Sequence, residues 1–161
     1  MAWRAIKWNN GAVITDDATY FKVCANKAAA QAQFDAWTIA KNNAIPVPTF
    51  SLTQMNARVL TGDARVPDGN RWGLATAAVN TAFHQFYQLS KTNKVDAAFT
   101  AISLMPLNDQ KRIRNILKTA VELHMRDTQF FLGADKIVFI DIAFTENSND
   151  PNLASLVAKF N

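Results

Sequence analysis

Between Trp72 and Leu89 the apolar residues Trp72, Ala75, Val79, Ala82, Phe83, Phe86 and Leu89 recur every three or four places. No other feature limits the fold so strongly, because this spacing lines one side of a helix of about 3.6 residues per turn. A helix is therefore predicted over 72–89. The polar and basic stretch Ser90 to Lys94 would close it at the negative end of the helix dipole.

Other segments read as further helices. A stripe of Phe21, Cys24, Ala28, Ala32, Ala36 and Ala40, with Trp37 beside it, predicts a helix from Asp16 or Asp17 to about Lys41. Asn42-Asn43 and the Pro46/Pro48 pair end it. Ser51-Leu52-Thr53-Gln54 has the form of a capping box and opens a short helix to about Leu60. Thr61 to Arg71 reads as a loop, and Val95 to Leu104 as a short helix stopped by Pro106. Asn108 or Asp109 would cap a helix running through Ile113, Ile116, Leu117, Ala120, Leu123 and Phe130 to a terminating Gly133. Asp150-Pro151 sets an N-cap and an N1 proline before Leu153, Leu156, Val157 and Phe160.

Strand signals are fewer. Trp3–Trp8 and Ala12–Ile14 flank Asn9-Asn10-Gly11, a pattern suited to a tight hairpin. Ile137-Val138-Phe139-Ile140 continues to Phe144, broken only by Asp141, and reads as a buried strand paired with that hairpin. The expected architecture is one mainly α domain over residues 1–161. It is an antiparallel helical bundle with a small β-sheet, made of the N-terminal hairpin plus the strand near 137–144.

With 161 residues, 49% of them hydrophobic, the chain can bury roughly 70% of its unfolded surface and needs no staples. Cys24 alone excludes an internal disulfide framework, and with His84 and His124 it offers too few ligands for a structural zinc. No run approaches the roughly 18 to 20 apolar residues of a membrane span, so no membrane partner is expected. The start, Met1-Ala2-Trp3-Arg4, is expected to carry no signal peptide.

Catalytic readings find little support. His84 sits in an aromatic stretch, and His124 is two residues from Glu122, which on a helix turns them apart. Glu122 and Arg126 are spaced as a surface ion pair. Cys24 lies on the Ala-rich stripe as a small core residue. Asp141 lacks the second acid and the lysine that a metal-dependent nuclease would place beyond it. No Gly-rich phosphate loop or serine elbow occurs. An enzyme built on His84, His124 and Asp141 is the least supported class; no catalytic residue, metal or cofactor is expected.

The net charge of +4 is unevenly spread. From Arg58 to Lys118 nine basic residues face four acidic ones, giving +5, and the remainder is −1. A positive centre between near-neutral ends suits a polyanion, or a merely solvated surface. Lys111, Arg112 and Arg114 crowd the start of a predicted helix, where cations oppose the dipole and phosphate would relieve them. The loop Asp63-Ala64-Arg65-Val66-Pro67-Asp68 leads on to Arg71-Trp72 and alternates acids with arginines. Arg–Asp pairing within or between subunits explains that alternation as well as RNA does.

These stretches resemble the coat proteins of rod-shaped plant RNA viruses, the tobacco mosaic virus type. Arg65-Val66-Pro67-Asp68 is similar to that family's Arg-Phe-Pro-Asp. Lys91-Thr92-Asn93-Lys94 resembles its Arg/Asn-rich helix end. Ile113-Arg114 and Val121-Glu122-Leu123 with Arg126 resemble its last long helix. The composition, with 26 Ala, 15 Asn, 13 Thr and 11 Phe, is also alike. The likeness covers pieces of 65–126. The hairpin region, the 137–144 strand and the C-terminal helix have no counterpart in it. It implies a helical bundle, Arg112 and Arg114 facing RNA, and Asp109 among acids between subunits.

The function expected is a non-enzymatic viral coat or nucleocapsid subunit that self-assembles, as a helical filament or shell, around single-stranded RNA. Its basic strip would be Arg58, Arg65, Arg71, Arg112, Arg114 and Lys118, with Trp72 as a stacking or packing group. Asp68 and Asp109 stand as inter-subunit acidic groups. Such a protein resides in the virion, and in the host cytoplasm during assembly. The alternative is a small phage- or host-encoded protein-binding module without nucleic-acid affinity.

Overall fold

The computed structural model describes residues 2–7 and 13–161. In chain order it contains β1 (Arg4–Lys7), β2 (Val13–Thr15), β3 (Thr19–Val23), α1 (Lys27–Asn42), β4 (Phe50–Met55), α2 (Ala57–Thr61) and β5 (Arg71–Ala77). There follow β6 (Gln85–Gln88), α3 (Lys94–Ser103), α4 (Leu107–Glu122), β7 (Gln129–Leu132), β8 (Ile137–Ile140) and α5 (Pro151–Ala158). The chain divides into two compact units, Met1–Asp35 with Pro48–Ala78, and Ala36–Val47 with Val79–Asn161.

The first unit is built on a five-stranded antiparallel sheet in the order β1-β2-β3-β5-β4. Ile14, Phe21, Ala57, Val66 and Ala75 form its buried cluster, flanked by Trp3, Ala5, Val23 and Met55. β3 and β5 approach so closely at Gly73 that a Cβ there would lie 2.2 Å from the Lys22 carbonyl oxygen and 2.7 Å from the Phe21 ring. Only glycine fits that place. Asn56 caps α2 by accepting the Val59 N–H at 3.3 Å, and Gly62 ends the helix in the left-handed region at φ 63°.

In the second unit α3, α4 and α5 pack together beside a three-stranded antiparallel sheet, β6-β7-β8. Ile102, Ile113, Leu117, Ala120, Leu153 and Leu156 are buried on the helices, and Phe130 and Phe139 on the strands. Burying each such large side chain contributes about 1.5–3 kcal/mol. Asp150 caps α5, accepting from Asn152 N at 2.9 Å and Leu153 N at 3.4 Å, and it also accepts Thr128 N–H at 3.1 Å. Ala44, Asn93, His124, Asp127 and Asp141 adopt positive φ without being glycine, and each stands at or near the end of an element.

The expected helical bundle is overturned. The described residues are 36% helix and 25% strand, with eight strands in two antiparallel sheets and five helices, an α/β fold. The predicted helix over 72–89 is in fact two strands, β5 and β6, on either side of the polar Asn80-Thr81. Its apparent period joined the apolar positions of separate elements, and pairing of β5 with both β3 and β4 outweighs alanine's helix preference. Ser51 to Gln54 lies in β4, and Asn56, not Ser51, does the capping. Phe21 belongs to β3; α1 begins only at Lys27, where Asn26 accepts the Ala29 N–H at 2.8 Å.

The long helix expected to reach Gly133 stops at Glu122, and the chain reverses through His124 at φ 62°. Gly133 instead joins β7 to β8, donating its N–H to Lys136 O at 2.9 Å. The strand near 137–144 ends at Ile140, because Asp141 turns left-handed, and it pairs with β7 rather than with the N-terminal hairpin. Strands β1 and β2 do pair antiparallel, with Arg4 opposite Thr15. Their expected turn, Asn9-Asn10-Gly11, lies outside the described residues. The Val95–Leu104 helix and the Asp150-capped C-terminal helix are present as α3 and α5.

Candidate functional site

The proposed strip falls into two groups, one in each unit. Arg58, Arg65, Arg71 and Asp68 belong to the first, and Arg112, Arg114, Lys118 and Asp109 to the second.

In the first group, Val66 is drawn into the core and the chain around it folds back on itself. The Arg65 guanidinium grips Asp63, with Nη2 donating to Oδ2 at 2.6 Å and Nε to Oδ1 at 3.0 Å. These bonds, with the Arg65 backbone N–H at 2.9 Å, hold the Asp63 carboxyl down to about 2. Arg58 Nη2 donates to the Ala64 carbonyl at 2.5 Å. Asp68 accepts Gly69 N–H at 2.8 Å and Asn56 Nδ2 at 3.2 Å, and its carboxyl is lowered by those same bonds. Arg58, Arg65 and Asp68 therefore hold the loop. Arg71 starts β5 opposite Met55 and makes no ion pair among the described residues. The Lys27 ammonium lies 4.8 Å from the centroid of the half-buried Trp72 ring and covers one face of it.

The second group stands on α4. Ile113, Leu117 and Ala120 bury one side of this helix, so the opposite side is fixed outward. Leu107, Lys111, Arg114 and Lys118 follow at i, i+4, i+7 and i+11 along it. Pro106 occupies the N-cap position, where Asn108 or Asp109 was expected, and offers no side-chain acceptor. Asp109 in the first turn offsets the dipole and takes Arg112 Nη2 at 3.3 Å. The same Arg112 nitrogen donates to the Asp135 carbonyl. Arg114 Nη2 donates to Asn161 Oδ1 at 2.9 Å, while its Nε is buried without a hydrogen-bond partner.

Lys118 differs from these arginines. It is exposed and has no ion pair or hydrogen bond among the described residues, and Lys111, two turns earlier, is the same. Lys111 belonged to the cationic run seen in the sequence but not to the selected strip. Its seven-residue spacing from Lys118 was the available signal, legible only once the buried side of α4 is known.

The catalytic candidates do not assemble. His84 Nδ1 lies 2.9 Å from the Asn80 carbonyl oxygen, and His124 Nδ1 lies 2.8 Å from Asn149 Oδ1. Asp141 accepts Gln129 Nε2 at 2.9 Å. Burial pushes the Cys24 thiol up, away from the reactive thiolate. The expected pair Glu122–Arg126 does not form, since α4 ends at Glu122. Among the described residues no three His, Cys, Asp or Glu side chains gather as metal ligands, and no helix is long and apolar enough to cross a membrane.

A shallow depression of about 570 Å3 lies along β6, lined by Phe83, His84, Phe86 and Phe131 among others. Phe83 is 75% exposed.

Compared with known proteins, the chain matches no family model, no curated protein and no solved structure.

Proposed function

We propose that the protein is a non-enzymatic structural subunit of the viral coat or nucleocapsid kind. It self-assembles and holds the backbone of nucleic acid, single-stranded RNA first, along the outer side of α4. The observation that carries this reading is the pair Lys111 and Lys118, exposed, unpartnered and on one side of a helix anchored by its other side. They stand ~10.5 Å apart along the axis. Two hydrated ammonium groups so placed attract phosphates without reading bases. Arg114 lies between them along the axis, about 60° round the helix from Lys111 and nearer the buried side, and exchanging the Asn161 amide for a phosphate would give it a charge-assisted bond. Few contacts per subunit suffice when many subunits share one strand.

Anisotropy titration of a labelled single-stranded RNA at several salt concentrations tests this. Wild type is expected to bind with salt-sensitive affinity, and the Lys111→Glu/Lys118→Glu variant to lose it. Equal affinity in the two proteins would sink the reading.

A protein-binding module is the second reading, favoured by the exposed aromatic depression along β6. It stands if no salt-sensitive RNA affinity is found.

A further inference from the structure

The two outer edges of the second unit's sheet are treated differently. β8 is covered, for Phe139 donates its N–H to the Pro46 carbonyl at 2.8 Å. β6 ends the sheet, and among the described residues no further strand pairs with it. Open edges are commonly guarded by charge, proline or a bulge, since they otherwise template another strand. Here the strand's own residues supply no charge, proline or bulge; its guards are its four-residue length and the Lys94 ammonium, 5.7 Å from the Tyr87 ring centroid. No Lys, Arg, Asp, Glu or Pro occurs between Arg71 and Lys91, and β6 pairs with β7 without a bulge.

The side chains of β6 alternate. Tyr87 turns inward against Phe130, while Phe86 turns outward, 37% exposed, against its cross-strand partner Phe131 at 5.1 Å between ring centroids. Gln85 and Gln88 flank the aromatic pair.

We infer that β6 is the contact by which two copies of this chain join, antiparallel about a two-fold axis at Phe86, into one continuous sheet. This rests on the self-assembling part of the function proposed above and is independent of the nucleic-acid part. A second copy is the occupant for two reasons. In a chain of net charge +4, this uncharged edge brings no like-charge repulsion when it meets itself. Pairing centred on Phe86 also keeps both solvent faces on one side of the joined sheet. It therefore continues the Phe131–Phe86 row into Phe86 and Phe131 of the second copy, with aromatic cross-strand pairs throughout.

The test uses the full chain without nucleic acid, by sedimentation from ~1 μM to ~1 mM. Wild type is expected to self-associate. Gln85→Lys, which puts a charge on the exposed edge, should weaken association at least about tenfold with unchanged circular dichroism. Paired antiparallel residues stand ~4.5–5.5 Å apart at Cα, within the span of a disulfide. Phe86→Cys in a Cys24→Ala background is therefore expected to give a covalent dimer on mild oxidation. Association undiminished in Gln85→Lys, without a Phe86→Cys crosslink, would overturn the β6 contact while leaving self-assembly standing. A wild type monomeric at every concentration would overturn both.

Discussion

The Arg65 guanidinium closes on the Asp63 carboxylate two residues earlier, at 2.6 Å between Nη2 and Oδ2. The grip shifts the acid's titration from an ordinary 3.8 to about 2, and it raises the arginine in turn. A carboxyl depressed by folding adds stability above its unfolded value and loses it as pH falls through the folded one. Carbon-detected NMR titration should find Asp63 near 2 in wild type. In Arg65→Gln it should move up toward 3.8, stopping short because the backbone N–H still donates. In urea, any stability advantage of wild type over Arg65→Gln should fade between pH 3.8 and about 2. An Asp63 titration that ignores the substitution would contradict the geometry.

The arginines that hold the loop and the lysines that stand free should separate in a salt series. Each phosphate contact on a single strand contributes a slope of ~0.7 in log K against log salt. Lys111→Gln/Lys118→Gln should therefore flatten the slope by ~1.4. Arg58→Gln and Arg65→Gln, whose guanidinium groups already face Ala64 and Asp63, should leave it nearly unchanged. The reverse ranking would place the proposed interface on the loop and not on α4.

At Gly73 there is no room for even a methyl group. Gly73→Ala sets a Cβ 2.2 Å from a backbone oxygen of the neighbouring strand. Forced overpacking of this sort costs about 1–3 kcal/mol or more. Urea unfolding should show that loss, whereas Gly69→Ala, with open space around it, should show only the smaller strain of its positive φ.

Asp150 serves two elements through one carboxylate, the first turn of α5 and the N–H of Thr128 before β7. Asp150→Ala should cost about 1–2 kcal/mol, as lost caps and orphaned amides do. Asp150→Asn keeps one acceptor and should cost less. Thermal melts of the three proteins give the order directly.

What the sequence made legible was local. Asp150-Pro151 announced α5, Val95 to Leu104 announced α3, and the two segments around Asn9-Asn10-Gly11 became paired strands. What stayed hidden depends on partners distant along the chain. Arg71–Ala77 is a strand because β3 and β4 flank it, and nothing within those seven residues says so. Likewise Ser51 offers a perfectly formed capping pattern that six-residue pairing with β5 overrides. At the site, the cationic helix start was legible. Which cations face inward contacts was not, because Asn161 and Asp135 reach Arg114 and Arg112 only through the tertiary fold.

Ala44, Asn93, His124, Asp127 and Asp141 turn the chain where glycine would do so without strain, and the whole chain holds only 5 glycines. Each left-handed turn by an ordinary residue costs roughly 1–2 kcal/mol, least for Asn and Asp. A lineage carrying this fold therefore has a mutational reserve. Replacing Ala44, whose methyl makes no polar contact, by glycine would raise stability without touching α4 or β6. That gain would absorb the cost of later changes on the exposed sides of those two elements.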